Sequence, residues 1–190
     1  MIEPIELHTE RLLLRTWRNE DLQPFAEMVA DAEVMRYFPA TQSTAEAAAL
    51  MARVRAHFAE HGFGLWALER KDTGAFIGFT GLGLVGFDAP FCRSHGPTIE
   101  IGWRLARGSW RQGFASEAAR ASLACAFERL QLPEVVAFTV PANRASRGVM
   151  ERIGMQRDPA DDFKHPNLPA AHRLSAHVLY RISRAHWLAQ

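Results

Sequence analysis

Residues 98–118 read "TIEIGWRLARGSWRQGFASEA", and the fold turns on how that run is parsed. Apolar and polar residues alternate from Thr98 to Leu105, the two-residue period of a half-buried strand. The chain then turns polar, passes Gly113 between Gln112 and Phe114, and enters "SEAARASLACAFERL" (116–130), a composition that favours helix. "EVVAFTV" (134–140) follows as a second strand, rich in β-branched residues. Strand, helix and strand in this order form a crossover unit, which sets the two strands parallel.

Outward from that unit, "ERLLLRTW" (10–17) reads as an opening strand, and "RNEDLQPF" starts a helix with Leu22, Phe25, Ala26 and Val29 on one face and Pro24 in its first turn. Ser43 and Glu46 stand in capping-box spacing before Ala47, Leu50, Val54 and Phe58, which recur at helical intervals up to Gly62 and Gly64. "LWALER" (65–70) and "AFIGFTGLGLV" (75–85) flank "KDTG", a hairpin signal in which Gly74 supplies positive φ. Residues 86–97 show neither period and predict a loop. A short helix over 144–153 stops at Gly154, and "RLSAHVLYRIS" (173–183) closes the chain as a strand after a proline-broken loop. The expected fold is α/β (α+β): one domain over 1–190, with a mixed sheet of six or seven strands and about four helices.

Composition narrows the function. A chain of 190 residues with 48% apolar content fills one sizeable core. Its 22 basic and 21 acidic residues leave a net charge of +1, too weak a field to call for nucleic acid. Cys92 and Cys125 lack zinc-site spacing and suit a reducing cytoplasm. The first residues carry acids and no long apolar core, so no leader is expected, and no apolar run approaches the ~18 residues of a membrane span.

At the strand-to-helix junction, the amides of Gln112, Gly113, Phe114, Ala115 and Ser116 are first-turn donors without intrahelical partners. Together with the helix dipole they make an anion site, and Gly113 lets a phosphate approach the backbone. A plain tight turn is the alternative. The chain has no Gly-x-Gly-x-x-Gly, and no Lys-Ser or Lys-Thr follows the glycine, which removes dinucleotide and nucleoside-triphosphate readings. A phosphate site without magnesium ligands suits a carrier whose diphosphate is a handle, such as coenzyme A.

Four segments in order carry a resemblance: "TERLLLRTW", "IEIGWRL", "WRQGFASEA" and "NRASRGVMERIGM" (143–155). Together they resemble the Gcn5-related N-acetyltransferase (GNAT) superfamily, in its branch similar to the RimJ/RimL ribosomal-protein N-acetyltransferases. The resemblance implies acetyl-CoA as co-substrate and no metal, with the acyl-CoA in the splay between two parallel central strands. It implies that the diphosphate lies on the amides of Gln112 to Ser116, that the pantetheine arm pairs with the backbone of Trp103, Arg104 and Leu105 as an added strand, and that Asn143 bonds the pantetheine. Asn143 also reads as the cap of the helix that follows. Trp110 replaces the Gln or Arg common three residues before the loop glycine. Met150 occupies the place of the tyrosine acid of many relatives, and Ser146 is the hydroxyl that this branch is thought to use instead.

The base is read from the strand itself. Alternation puts Glu100 on one face with Gly102 and Arg104, opposite Ile99, Ile101 and Trp103. Partial burial would raise the carboxyl's pKa into the operating range, and an ion pair with Arg104 is the structural alternative. The expected acceptor is a small-molecule amine or a protein N-terminus, with no nucleic acid or membrane partner and a homodimer left open. A catalytically silent acyl-CoA sensor of the same fold is the competing class. His57 and His61 lie one helical turn apart but read as an exposed face. The five tryptophans read as core or rim, and 86–97 and "DFKHP" (162–166) read either as walls of an acceptor pocket or as surface loops.

Overall fold

The computed structural model describes residues 2–92 and 96–190, so part of the 86–97 stretch, residues 93–95, lies outside the described residues. The chain's contacts group into two compact units, one of residues up to Leu82 with Gly102–Ser122, the other of Gly83–Ile101 with Leu123–Gln190.

In the first unit, β1 (Leu7–His8), β2 (Leu12–Arg15), β3 (Leu65–Arg70) and β4 (Phe76–Leu84) are successive antiparallel neighbours. The hairpin between β3 and β4 turns where expected, with Gly74 at φ +69° and its amide on the Arg70 carbonyl. Helix α1 (Leu22–Ala30) buries Phe25, Ala26, Met28 and Val29, while Leu22 is only half-buried. Helix α2 (Thr44–His61) begins with the predicted reciprocal cap of Ser43 and Glu46 and ends on Gly62 at φ +74°. Met51, not Leu50, joins Ala47, Val54 and Phe58 on its buried face. Trp17 meets Phe25 edge-on at 4.8 Å, and Trp66 is fully buried. Each such ring contributes about 1.5–3 kcal/mol of burial. Trp17 and Trp66 are core, whereas Trp110 is exposed.

Arg15 and Asp21 are buried charges of this unit and pair with each other. Arg15 Nη1 and Nη2 donate to Asp21 at 2.7 and 2.8 Å, and Arg15 Nε donates to Glu69 at 2.7 Å. The opening strand is therefore shorter than 10–17, because Arg15 turns inward to this network and the chain bends into the 3-10 turn Asn19–Asp21.

Strand β5 (Ile99–Leu105) has residues in both units. In the second unit its first part pairs with β6 (Glu134–Thr139) in parallel, at Glu100↔Val136. Beside β6 runs β9 (Ala176–Ser183), antiparallel over six pairs, and two short strands, β7 (Gln156–Arg157) and β8 (Phe163–Lys164), also pair with β9. Six strands of four or more residues thus match the expected sheet, and β1, β7 and β8 are two-residue additions too short to show a period. "DFKHP" is accordingly not a plain loop, since β8 lies within it. The closing strand starts at Ala176, not residue 173, because Ser175 turns back to donate to the Ala170 carbonyl. A short helix, α5 (Arg184–Leu188), follows without a periodic signal.

Within the described part of the stretch before β5, the aromatic side chains are packed despite its loop-like composition. Phe91 is buried with Val136 and Leu179, and Phe87, Phe138 and Phe163 close around them. Helix α3 (Phe114–Ala124) starts two residues before the predicted 116 and continues as a π turn over Cys125–Arg129, where the Leu130 amide reaches the Cys125 carbonyl. Helix α4 (Arg144–Arg152) ends where Gly154 takes φ +84°.

Candidate active site

Strand β5 carries the carboxylate proposed from alternation. Glu100 is half-buried, and no hydrogen-bond or ion-pair partner reaches its carboxylate among the described residues. Desolvation alone pushes its pKa up to about 7. The ion pair offered as the structural alternative is not formed: the salt bridges of the described residues do not include Glu100 or Arg104.

Trp103 and Arg104 are half-buried on the same strand, and Leu105 is buried. The β4 backbone comes close to this stretch at Gly78, φ +136°, where any Cβ would collide with the Arg104 carbonyl. The Ala106 amide binds the Ile77 carbonyl, and the Trp110 indole donates to the Leu105 carbonyl at 2.7 Å. Trp110 thus braces the turn out of β5 through its side chain, a role that a search for a Gln or Arg at this place does not reveal.

The loop into α3 has the conformation its glycine implies. Arg111 and Gly113 both take positive φ, 58° and 84°, and Gln112 and Gly113 are exposed. The Gly113 carbonyl accepts the Glu117 amide, so helix geometry leaves the amides of Phe114 and Ala115 with no intrahelical acceptor. A Cβ at Gly113 would meet only the Arg11 guanidinium, at 3.3 Å. Phe114 and Ser116 are buried, which anchors the first helical turn.

What holds this loop in place was invisible as a pattern. Glu117 accepts from the Thr9 hydroxyl at 2.6 Å, the Arg11 amide at 2.9 Å and Arg11 Nε at 2.7 Å. Arg11 Nη1 also donates to the Gln112 carbonyl at 2.9 Å, and its guanidinium lies 4.5 Å from the Phe114 ring centroid. Burial works against the Glu117 charge, but these donors outweigh it and hold the carboxyl below the usual carboxylate range. An acidic residue in a helix's first turn suggests only a favourable dipole interaction. Its partners lie more than a hundred residues away in sequence.

In the second unit, Asn143 is the N-cap of α4. Its Oδ1 accepts from the Ser146 amide at 3.2 Å and its Nδ2 donates to Thr139 Oγ1 at 3.0 Å. The cap reading therefore holds, and each end of the amide keeps capacity for one further bond. Ser146 is half-buried in the first turn, and its hydroxyl makes no hydrogen bond among the described residues. Met150 is fully buried, a core side chain.

The His57 and His61 rings lie 4.4 Å apart, tilted by 54°, and His57 is partly buried instead of lying on an open face; burial lowers its pKa, helped by His61. No group of three His, Cys, Asp or Glu is placed to hold a metal ion among the described residues. No helix there is long and apolar enough to cross a membrane.

The chain as a whole is similar to known proteins. The chain is 31% identical to an uncharacterized N-acetyltransferase, YnaD, of Bacillus subtilis over 81% of its length and 84% of that protein's. It is 30% identical to the FsC-acetyl coenzyme A-N(2)-transacetylase of Aspergillus fumigatus, covering 96% of this chain and 77% of the relative. RimJ of Mycobacterium smegmatis, solved with CoA-disulfide, shares the fold at a TM-score of 0.72 and 21% identity, over 98% of this chain and 94% of that one. The family model described as Acetyltransferase (GNAT) domain matches residues 11–156, and with that span the chain belongs to the GNAT acetyltransferase family.

Proposed function

We propose that this chain, as a single N-acetyltransferase domain, moves an acetyl group from acetyl-CoA directly to a primary amine. The observation that carries the proposal is Glu100: a half-buried carboxylate without a partner among the described residues, with a pKa near 7. A structural carboxylate is paired, as Asp21 of the 3-10 turn and Glu69 of β3 are; one left desolvated and unpaired is suited to taking a proton. The transfer needs a neutral amine. An α-amine, with a pKa of about 7.7–8.0, is partly neutral at pH 7, whereas a lysine amine near 10.4 depends far more on a base.

The loop residues fit the carrier. Exposed Gln112 and Gly113, with the first amides of α3 behind them, offer donors and a helix dipole to a diphosphate, and the Glu117 clamp fixes their direction. Acetyl-CoA supplies an activated acyl group and a thiolate that leaves with little help, since thiols ionise near pH 8.5. The backbone of Trp103 to Leu105 is assigned to the pantetheine arm, and Asn143 uses its spare capacity on the same arm. Glu100 takes the amine proton. Ser146, with its hydroxyl uncommitted, donates to the departing sulfur.

A protein N-terminus and a small-molecule amine are both admissible acceptors. The relative named FsC-acetyl coenzyme A-N(2)-transacetylase supports transfer to a nitrogen, and the fold shared with RimJ does not choose between the two acceptors. Thiol release from acetyl-CoA across a panel of amines and N-terminal peptides tests the proposal, with Glu100→Gln as the comparison. Turnover that depends on an amine and falls in the variant supports it. Tight acetyl-CoA binding with no transfer to any amine would instead establish a sensor.

A further inference from the structure

Among the described residues, Arg104 is the arginine whose side chain has buried nitrogens with no hydrogen-bond partner. Arg15 is satisfied by Asp21 and Glu69, and Arg181 by Asp161 and Glu134. Arg104 lays its guanidinium 3.8 Å from the centroid of Phe38 and 5.4 Å from that of Phe79. Its Nε and Nη1 are sealed from solvent and reach no acceptor. Aromatic faces attract the cation but do not supply lone pairs along the N–H directions, so stacking leaves these donors unmet. Burial brings the guanidinium pKa down to about 10, which still leaves it charged at neutral pH. A cation held this way, with donors unused, is costly in an isolated protein and calls for an anion from outside.

The surroundings narrow the anion. Phe38 belongs to the α1–α2 connection and is 37% exposed, so the stack reaches the surface of its unit. A guanidinium offers paired N–H groups in one plane, the geometry of a carboxylate. The diphosphate of the carrier is assigned above to the loop at Gln112 and Gly113 and the first amides of α3.

We infer that the Arg104 side chain recognises a carboxylate on the acceptor, which makes the acceptor an amine that also bears an acid group, an amino acid or a close derivative. This rests on the acetyl-transfer reading above and adds the substrate class to it. The role is separate from the backbone of residue 104, which any side chain leaves in place. Phe38 contributes by keeping the guanidinium flat and excluding water from its far face.

Matched pairs of amines test it: amino acids of increasing chain length, each beside its carboxamide, assayed for kcat/KM with the wild type, Arg104→Met and Arg104→Lys. The wild type is expected to prefer the acid by about tenfold or more, the preference a site builds by leaving a charge unpaired for the wrong substrate. Arg104→Met brings the ratio near one and Arg104→Lys keeps part of it. A wild-type ratio of one, or a ratio that survives Arg104→Met, overturns the inference while leaving acetyl transfer intact. Should Arg104→Met fail to fold, the wild-type ratio and the lysine variant still decide. Acetyl-CoA and acetyl-pantetheine, compared as donors, separate the other source of anion: if Arg104→Met raises KM only for the donor that carries phosphates and leaves the acid preference unchanged, the guanidinium serves the carrier and the inference falls. No turnover of any amine would remove the acetyl-transfer reading and this inference together.

Discussion

Replacing Glu100 with Gln has two consequences of opposite sign, and together they test whether its carboxylate is both desolvated and used. Its pKa rises from an ordinary 4.5 to about 7 on folding, so the folded state holds the proton more tightly than the unfolded chain. Stability from this group is fully present below 4.5 and is lost as pH rises through about 7. The loss amounts to about 3 kcal/mol as an upper figure, at 1.36 kcal/mol for each factor of ten in the proton equilibrium. Glutamine, neutral throughout, escapes it. Urea melts of the two proteins should therefore coincide near pH 4.5 and diverge in favour of Glu100→Gln by pH 8, with the melting temperature of the variant higher by several degrees. Over the same range the wild type's kcat/KM should fall about tenfold per pH unit below 7 as the base protonates, while the variant is slow and flat. A stability difference that does not change between pH 5 and 8 would show that the carboxylate is not desolvated, and the argument for a base at this position would fail with it.

Gly113→Asp should abolish acetyl-CoA binding in calorimetry, because it forces a side chain into φ +84° and sets a negative charge where the diphosphate is proposed to lie; retained affinity would remove the loop from that role. Glu117→Gln should cost about 1–2 kcal/mol through weaker bonds to Thr9 and Arg11. Since the folded pKa of Glu117 is depressed, that difference should be present above the ordinary carboxylate value and vanish as pH falls through the folded one, which acid-limb melts would show. Asn143→Ala should lower stability by about 1 kcal/mol through loss of the α4 cap, and an unchanged melt would mean that the cap contributes nothing. Arg104→Met should erase the preference for acid-bearing amines, as the paired assays above measure.

Local pattern made the crossover unit, the Ser43 cap, the Gly74 hairpin and the α3 glycine turn readable, because each is set by residues a few positions apart: a period, a spacing or a positive φ. The same holds for the face of Glu100, which alternation alone assigns. Tertiary structure decided the rest. Whether Glu100 would be paired or alone depended on what the fold brought near it, and the same was true of Arg104, whose neighbours Phe38 and Phe79 are distant in sequence. Glu117 looked like an ordinary first-turn acid until folding placed Thr9 and Arg11 on its oxygens. The two-residue strands β7 and β8 exist only because β9 offers an edge to pair with. Periodicity reports which way a side chain points; its charge state and its use depend on desolvation and partners, which arise only when remote segments meet.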